Sequence, residues 1–266
     1  ATVHDGLSAA TAAASCWDIK QRNPEATDGA YWLQTPAMDH PAQFFCDQTT
    51  DGGGWVMVGR GREGWESWSG GKGDPAKLTS RSRTPGDFDV VQLSNKAITE
   101  LLNNEPVKDQ ADGVRIMRSW SASGRYYQTV DLQFPKMTDF VWPFKMAHPI
   151  NIQLDKGGWR SGVMWSQTGY DNEWNGLQTY PSARTTGWLM GWGYGAQASN
   201  WGGDVSSANS YFRKSGLTVF PYAEAYVRPH ISSDSSSFTR IPDEGMSGST
   251  VSGAVSNFAA KTSWGV

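Results

Sequence analysis

The stretch that decides the fold is CDQTTDGGGW, at residues 46–55. It combines a cysteine, an acidic turn, three consecutive glycines and a tryptophan in one short segment. Consecutive glycines allow positive φ angles and a close approach between backbones, so the segment predicts a sharp turn. The apolar run that follows, Trp55 to Val58, is typical of a buried strand. The sequence therefore predicts that the chain turns between Cys46 and this strand.

Two further motifs lie upstream of this turn, SCWDIK at residues 15–20 and DGAYWL at residues 28–33. Together with residues 46–55 they resemble the opening of fibrinogen C-terminal-like domains, and the intelectin and ficolin branch has the most similar pattern. The resemblance covers residues 15 to 60. It implies an α+β fold with a twisted antiparallel sheet, few short helices and a loop-rich C-terminal lobe. It also implies an extracellular recognition module, which in many members is a calcium-dependent lectin.

Composition limits the classes of function. The chain has 266 residues, of which 38% are hydrophobic, enough for one large domain or two small ones. It holds 14 Trp and 30 Gly but only 18% charged residues, which favours a loop-rich fold stabilised by aromatic side chains. A net charge of -3 without a run of Lys or Arg argues against binding to nucleic acid or an anionic membrane. No apolar stretch approaches the roughly 20 residues that cross a bilayer.

Two cysteines, Cys16 and Cys46, enclose the opening region. In the resembled families the matching pair forms a disulfide, and the alternative is two buried free thiols. A bridge that closes a loop of about 30 residues would stabilise the fold by about 3–4 kcal/mol and would imply an oxidising compartment. A start at Ala1 without a basic and apolar leader fits a mature secreted form. The absence of an Asn-x-Ser/Thr sequon favours a bacterial source.

Several secondary-structure elements are predicted from local pattern. The density of glycine and proline at residues 60–90 predicts a long surface loop. Ser94 is a candidate cap for a helix with four apolar residues on one face: Ala97, Ile98, Leu101 and Leu102. Residues 114–118 and 126–132 predict an antiparallel strand pair. Residues 223–229 are typical of the closing strand of the resembled fold.

The chain is predicted to have three parts. Residues 1–14 form an N-terminal arm, residues 15–230 form the domain, and residues 231–266 form an extension. Within the domain, residues 142–211 lose clear periodicity and predict an irregular lobe packed by tryptophans. The extension begins with a solvated Ser-rich linker at residues 232–237. The chain is therefore expected to be a module, or a processed fragment, of a larger secreted protein.

Catalytic patterns are scarce. The histidines, His4, His40, His148 and His230, lack metal-ligand spacing, and no Gly-x-Ser-x-Gly elbow is present. The sequence GRGREG at residues 59–64 matches GxGxxG but leads into further glycines instead of a helix, so no dinucleotide site is predicted. The chain is predicted not to be an enzyme. The remaining catalytic alternative is a hydrolase that uses carboxylates such as Asp171 and Glu173.

Calcium is the predicted cofactor, because irregular acidic loops supply the oxygen ligands that this cation needs. The candidate ligands are Asp171, Glu173 and Asn175 in DNEWNG at residues 171–176, with Asp204. The alternative is hydrogen-bonded turns, which use the same residue types. The acidic loop with a cysteine pair that is usual in the resembled families is not recognisable here. No binding residue can therefore be transferred by motif.

A glycan site is predicted in the same lobe. Sugar recognition combines an aromatic face with planar amides, and Trp192, Tyr194, Asn200 and Trp201 supply both among glycines. The alternative is that both tryptophans fill the core of the lobe. The predicted function is a secreted lectin-like module for glycans or acetylated surface groups. The alternative is a structural, assembly or adhesion module, as a homo-oligomer or within a larger chain, without a small-molecule ligand.

Overall fold

The computed structural model describes residues 3–61, 68–83, 89–119, 127–142, 149–165, 177–180, 191–192, 213–214, 217–218 and 223–234. Within these ranges the chain forms two α-helices, α1 (Cys16–Arg22) and α2 (Asn95–Leu101). The strands of the same ranges are β1 (Gly29–Leu33), β2 (Ala42–Asp47), β3 (Trp55–Gly61), β4 (Val91–Gln92), β5 (Val114–Ser119), β6 (Tyr127–Gln133), β7 (Pro149–Leu154), β8 (Arg160–Trp165), β9 (Leu177–Tyr180), β10 (Gly191–Trp192), β11 (Arg213–Lys214), β12 (Leu217–Thr218) and β13 (Ala223–Val227).

Most strands belong to one antiparallel sheet. Its order is β1-β2-β3-β13-β5-β6-β7-β8-β9-β10, β4 also pairs with β3, and β11 and β12 form a separate pair. Strand β13 thus lies in the centre of the sheet, between β3 and β5. The predicted α+β class, with an antiparallel sheet and few short helices, is confirmed, as is the closing strand.

The CDQTTDGGGW stretch connects β2 to β3, and Cys46 pairs with Val56 across the turn. Four consecutive residues have positive φ: Asp51 at 51°, Gly52 at 80°, Gly53 at 77° and Gly54 at 85°. Gln48 stabilises the turn, since its side-chain oxygen accepts a hydrogen bond from Gly54 N at 2.9 Å. The predicted sharp turn and the buried strand after it are confirmed.

The glycines of this turn allow a matched comparison. A Cβ at position 53 would lie 2.4 Å from Gln48 O, whereas at position 52 it would meet nothing within 4 Å. Both residues have positive φ, so the backbone strain of an alanine is shared and only the clash differs. We expect Gly53→Ala to lower the free energy of unfolding by roughly 1–3 kcal/mol more than Gly52→Ala. Urea unfolding of both variants measures the difference, and equal losses would contradict the turn geometry.

Helix α1 is tied to the sheet at the same turn. Ser15 Oγ caps the helix by accepting a hydrogen bond from Asp18 N at 3.0 Å. Cys16, the first helical residue, forms a disulfide with Cys46 of β2, with a Cα–Cα distance of 5.6 Å. Gln48 Nε2 also donates to Cys16 O at 3.1 Å. The predicted disulfide is confirmed, and it joins the helix to the strand that enters the turn.

The predicted helix with Ser94 as its cap is confirmed as α2. Ser94 Oγ accepts a hydrogen bond from Ala97 N at 3.0 Å. The four predicted apolar residues are all buried in the core of the domain. The largest fully buried side chains of the described core are Trp55, Trp142, Arg115, Tyr226, Phe44, Phe134 and Phe140. Trp55 and Trp142 are therefore core residues, and Arg115 is buried as completely as they are.

Two predictions about irregular structure need correction. Residues 142–211 were expected to be irregular, yet β7 and β8 form a regular antiparallel pair inside this range. Residues 60–90 were expected to be a surface loop, yet their described part contains a 3₁₀ turn, Pro75–Leu78, with two buried residues. Lys72 also bridges to Gln92 of β4. Both segments thus add backbone pairing to the sheet.

The Ser-rich segment after the domain also differs from its prediction. Ser233 was expected in a solvated linker, but it is only 5% exposed. Its hydroxyl donates to Asp18 Oδ2 at 2.5 Å and accepts a hydrogen bond from Ala14 N at 2.9 Å. Ser15 Oγ also donates to Ile231 O at 2.7 Å. The start of the extension is therefore fixed against α1 by hydrogen bonds from short polar side chains.

Candidate functional site

The predicted binding residues fall mainly outside the described ranges. Trp192 is the last residue of β10, where its backbone pairs with Leu177 of β9. Seven others lie outside the described residues: Tyr194, Asn200, Trp201, Asp171, Glu173, Asn175 and Asp204. Within the described part, no group of three or more His, Cys, Asp or Glu side chains is arranged to hold a metal ion. The glycan and calcium residues remain predictions.

The described part contains two clusters of charged side chains. The first is the Asp51 cluster, which consists of Asp51, Arg115, Asp131, Lys156 and Arg228. Arg115 is 1% exposed and pairs with Asp131 at 2.7 Å through Nε. Its Nη2 also donates to Asp51 at 3.0 Å, and Lys156 forms a second ion pair with Asp51. The cluster connects the β2–β3 turn to strands β5 and β6.

Two arginines of this cluster contact the Trp55 ring. The Arg115 guanidinium carbon is 3.9 Å from the centroid of the indole ring, and that of Arg228 is 4.4 Å away. Each cation over an aromatic face contributes about 0.5–2 kcal/mol, with the larger values where water is excluded. The tryptophan of the CDQTTDGGGW stretch is therefore held by cations from β5 and from the residue after β13.

Arg228 extends the cluster to the end of the closing strand. Its guanidinium donates to the carbonyl oxygens of Asp51 at 2.7 Å and Gly53 at 3.0 Å, and it pairs with Asp112 at 2.9 Å. His230 Nε2 lies 2.8 Å from the same Asp112 carboxylate. The His230 ring stacks on Trp17 of α1, with centroids 4.8 Å apart. One run of residues after β13 thus contacts both the turn and helix α1.

The second group is the Glu224 cluster, which consists of Arg81, Arg83, Tyr127, Glu224 and Tyr226. Glu224 is fully buried in the central strand β13, and Arg83 donates to its Oε1 at 3.1 Å. The Arg83 guanidinium also lies 4.1 Å from the Tyr127 ring centroid. Neither Glu224 Oε2 nor the Tyr127 hydroxyl has a hydrogen-bond partner among the described residues.

Arg81 joins the Glu224 cluster to the N-terminal region. It pairs with Asp47 of β2 at 2.9 Å and with Asp28 at 2.9 Å, and its guanidinium lies 4.8 Å from the Phe45 ring centroid. Burial works against the charge of Asp47, but hydrogen bonds from Thr50 and the charge of Arg81 hold the pKa of Asp47 below its usual value. Asp47 is therefore a structural anion at neutral pH.

The pKa of Glu224, the buried acid of β13, is shifted in the opposite direction. Burial raises the pKa of Glu224, and the positive charges of Arg83 and Arg81 oppose that rise without cancelling it. Burial likewise raises the pKa of Tyr127 and of Tyr226, and the charge of Glu224 adds to both shifts. A raised acid pKa beside a fixed cation is a common property of functional sites, but internal ion networks produce it as well. In the described residues these groups connect strands, which is a structural role.

Asp112 provides a prediction for pH dependence. Burial opposes its charge, but hydrogen bonds from Arg228 and His230 and their charges hold the pKa of Asp112 below its usual value. A carboxylate with a depressed folded-state pKa stabilises the fold above its unfolded-state pKa of about 3.9 and loses that contribution as the pH falls through the folded-state pKa. We expect Asp112→Asn to be less stable than wild type at pH 7 and to lose less stability on acidification from pH 5 to pH 2. Urea midpoints across this range measure the slope, and parallel curves would contradict the pairing.

Sequence reasoning missed both clusters. Arg115 and Asp51 are 64 residues apart, and Arg83 and Glu224 are 141 residues apart. Charged residues inside apolar strands were the available signal, since Arg115 interrupts β5 and Glu224 interrupts β13. A charge at a buried strand position requires a partner, but the strand alone does not identify it.

No family model matches the chain. In sequence it is similar to the fibrinogen beta chain of chicken (Gallus gallus), with 28% identity over 102 residues that cover 35% of this chain and 21% of that protein. It is also similar to angiopoietin-4 of mouse (Mus musculus), with 35% identity over 69 residues that cover 23% of this chain and 13% of that protein. The chain thus matches less than two thirds of the length of either relative.

Three solved structures are similar to the chain at low sequence identity. The fibrinogen-like globe domain of human ANGPTL2 gives a TM-score of 0.38 at 15% identity, and the alignment covers 82% of this chain and 99% of that domain. The fibrinogen-like globe domain of human ANGPTL6 gives a TM-score of 0.37 at 15% identity, and the alignment covers 82% of this chain and 95% of that domain. Lamprey fibrin D-dimer, solved with the peptide ligand Gly-His-Arg-Pro-amide, gives a TM-score of 0.29 at 16% identity and covers 44% of this chain and 33% of that chain.

The intelectin and ficolin branch and the bacterial source remain predictions. No helix in the described ranges has the length and apolar character to cross a membrane. The disulfide fits an oxidising compartment. The sequence relatives support a fibrinogen C-terminal-like domain in this chain.

Proposed function

We propose that the chain is a secreted, non-catalytic recognition module that binds glycans or acetylated surface groups through its C-terminal lobe. The proposal is supported mainly by the order of the sheet. Strand β10 lies at one end of the described strand order and ends at Trp192, shortly before Tyr194, Asn200 and Trp201 in the sequence. Binding residues are disproportionately found in loops that leave a regular scaffold. The aromatic and amide composition of this segment suits a sugar ring.

The non-catalytic and extracellular parts of the proposal have separate support. The carboxylates of the Asp51 cluster pair with arginine or lysine, which suits a scaffold better than an acid–base pair. The disulfide supports secretion, because such bonds persist in oxidising environments. Extracellular modules of this size commonly act as parts of longer chains, and both sequence relatives extend beyond the matched segment.

Binding is tested on an array of immobilised glycans and N-acetylated sugars. We expect the wild-type chain to be retained on a subset, and Trp201→Ala or Trp192→Ala to lose most retention, since truncation of a central aromatic binding residue typically costs about 2 kcal/mol or more. Trp159→Ala is the matched control, because Trp159 is 40% exposed and lies in the connection between β7 and β8, outside the proposed site. Equal loss in the control would locate binding elsewhere. An oligomer that retains no sugar would favour the assembly module.

Calcium is the proposed cofactor of the same lobe, with Asp171, Glu173, Asn175 and Asp204 as ligands. A cation that binds only the folded state raises the melting temperature by several degrees at a concentration about 100 times its Kd. We expect calcium to raise the melting temperature of the chelator-treated chain, and Asp171→Ala or Asp204→Ala to remove that rise. Glycan retention in chelator then shows whether the cation is required. An unchanged melting temperature, with bound metal excluded by elemental analysis, would contradict the calcium site.

A further inference from the structure

An apolar cleft of about 400 Å³ lies beside helix α1. Its apolar lining is Val3, Leu7, Ile19 and Tyr31, and Arg22 lies among its polar lining residues. Val3 is 56% exposed and Leu7 is 71% exposed, and only one other large hydrophobic side chain in the described ranges is classed as exposed. Two such residues beside a concave apolar surface indicate a site for an apolar partner segment.

The end of the described chain leads to this cleft. After β13, residues 230–234 contact α1 and the residues that precede it. His230 stacks on Trp17 near the start of the helix, and Ser233 then bonds to Asp18. Asp234 pairs with Arg22, the last residue of α1, at 2.8 Å. Arg22 also lines the cleft, so the described chain ends at a residue that contacts the cleft lining.

The sequence after Asp234 is suited to an apolar cleft. Three serines precede Phe-Thr-Arg-Ile at residues 238–241, which has a large apolar residue at each end. Four residues of extended chain span at most about 14 Å, so Phe238 is within a short tether of Arg22. We propose that Phe238 and Ile241 of the same chain occupy the cleft and cover the exposed side chains of Val3 and Leu7. The start of the extension is then a latch that packs the N-terminal arm against α1.

The latch is tested in the full chain by the reactivity of a thiol in the cleft. Val3→Cys conserves the approximate size of the side chain, and both native cysteines are in the disulfide, so maleimide labels a single thiol. Labelling is compared with and without the added pair Phe238→Ala and Ile241→Ala. The matched control is Phe258→Ala, which removes a phenylalanine from elsewhere in the extension. Each rate is divided by that of the unfolded chain in denaturant.

We expect slow labelling in the Val3→Cys chain and roughly tenfold faster labelling after the double alanine change, because a buried phenylalanine side chain contributes at least that factor. Phe258→Ala leaves the rate unchanged, and Phe238→Leu retains most of the protection. Fast labelling in the Val3→Cys chain, or the same rate with and without the alanine pair, overturns the proposal. Protection that disappears on dilution also overturns it, because a second copy is then the occupant.

Discussion

Arg115→Met is expected to lower the free energy of unfolding by about 3–5 kcal/mol, since it leaves the buried Asp131 charge with only the half-exposed Lys156 amine, 3.8 Å away, as its cation. Asp131, which is 1% exposed, would lose its two hydrogen bonds from Arg115, at 2.7 and 3.2 Å. Trp55 would also lose one of its two guanidinium contacts. The change therefore affects the buried pair and the turn after β2 together.

Matched variants separate charge from packing. Lys156→Met removes a cation from the same cluster, but Lys156 is 44% exposed, so a loss of only about 0–1 kcal/mol is expected. Adding Asp131→Leu to Arg115→Met removes the orphaned charge and recovers much of the loss. Urea unfolding at pH 7 measures the free energy of unfolding of Arg115→Met, of Lys156→Met and of the Arg115→Met and Asp131→Leu double variant. Equal losses for Arg115→Met and Lys156→Met would contradict the buried role of Arg115.

Replacing both cysteines by alanine is also expected to lower the free energy of unfolding by a large amount. The Cys16–Cys46 bridge closes a separation of 30 residues, for which the chain-entropy model gives about 3–4 kcal/mol. The loss is expected to affect α1 first, because the helix is short and its N-terminal residue carries the bond. Without the bridge, α1 is held by its packing and by the hydrogen bonds of Gln48 and Ser233.

The measurement is a urea unfolding curve of the double variant beside oxidised and reduced wild type. We expect the double variant and the reduced wild type to share a lower midpoint. Hydrogen exchange should locate the largest early loss of protection in residues 15–23. Oxidised and double-variant chains with the same midpoint would show that the bridge does not stabilise this fold.

Local sequence patterns predicted the elements whose structure depends on neighbouring residues, the β2–β3 turn and helix α2. The glycine triplet required positive φ, and the Ser94 cap with its apolar face defined α2. Strand β7 was missed although Ile150 and Ile152 alternate with polar residues, because the surrounding tryptophans and glycines obscured a short period-2 signal. Ser233 was assigned to a linker because serine is common there, while its partners lie more than 200 residues earlier.

The Asp51 and Glu224 clusters could not be predicted from local sequence, because their members come from distant parts of the chain. A buried arginine on one strand requires a carboxylate, but sheet order decides which carboxylate is near. Here the last strand lies between β3 and β5, so it brings Glu224 and Arg228 to residues of the first half of the chain. The proposed glycan residues rest on composition and on their place at the end of β10 or after it, and the proposed calcium ligands rest on composition.

The most direct test of recognition by the C-terminal lobe is hydrogen exchange of the wild-type chain with and without a glycan retained on the array. The account predicts added protection in peptides from residues 166–222, around Trp192 and Trp201, and unchanged exchange in β2, β3, β5 and β6. A chain that retains no glycan, or protection confined to those four strands, would contradict it.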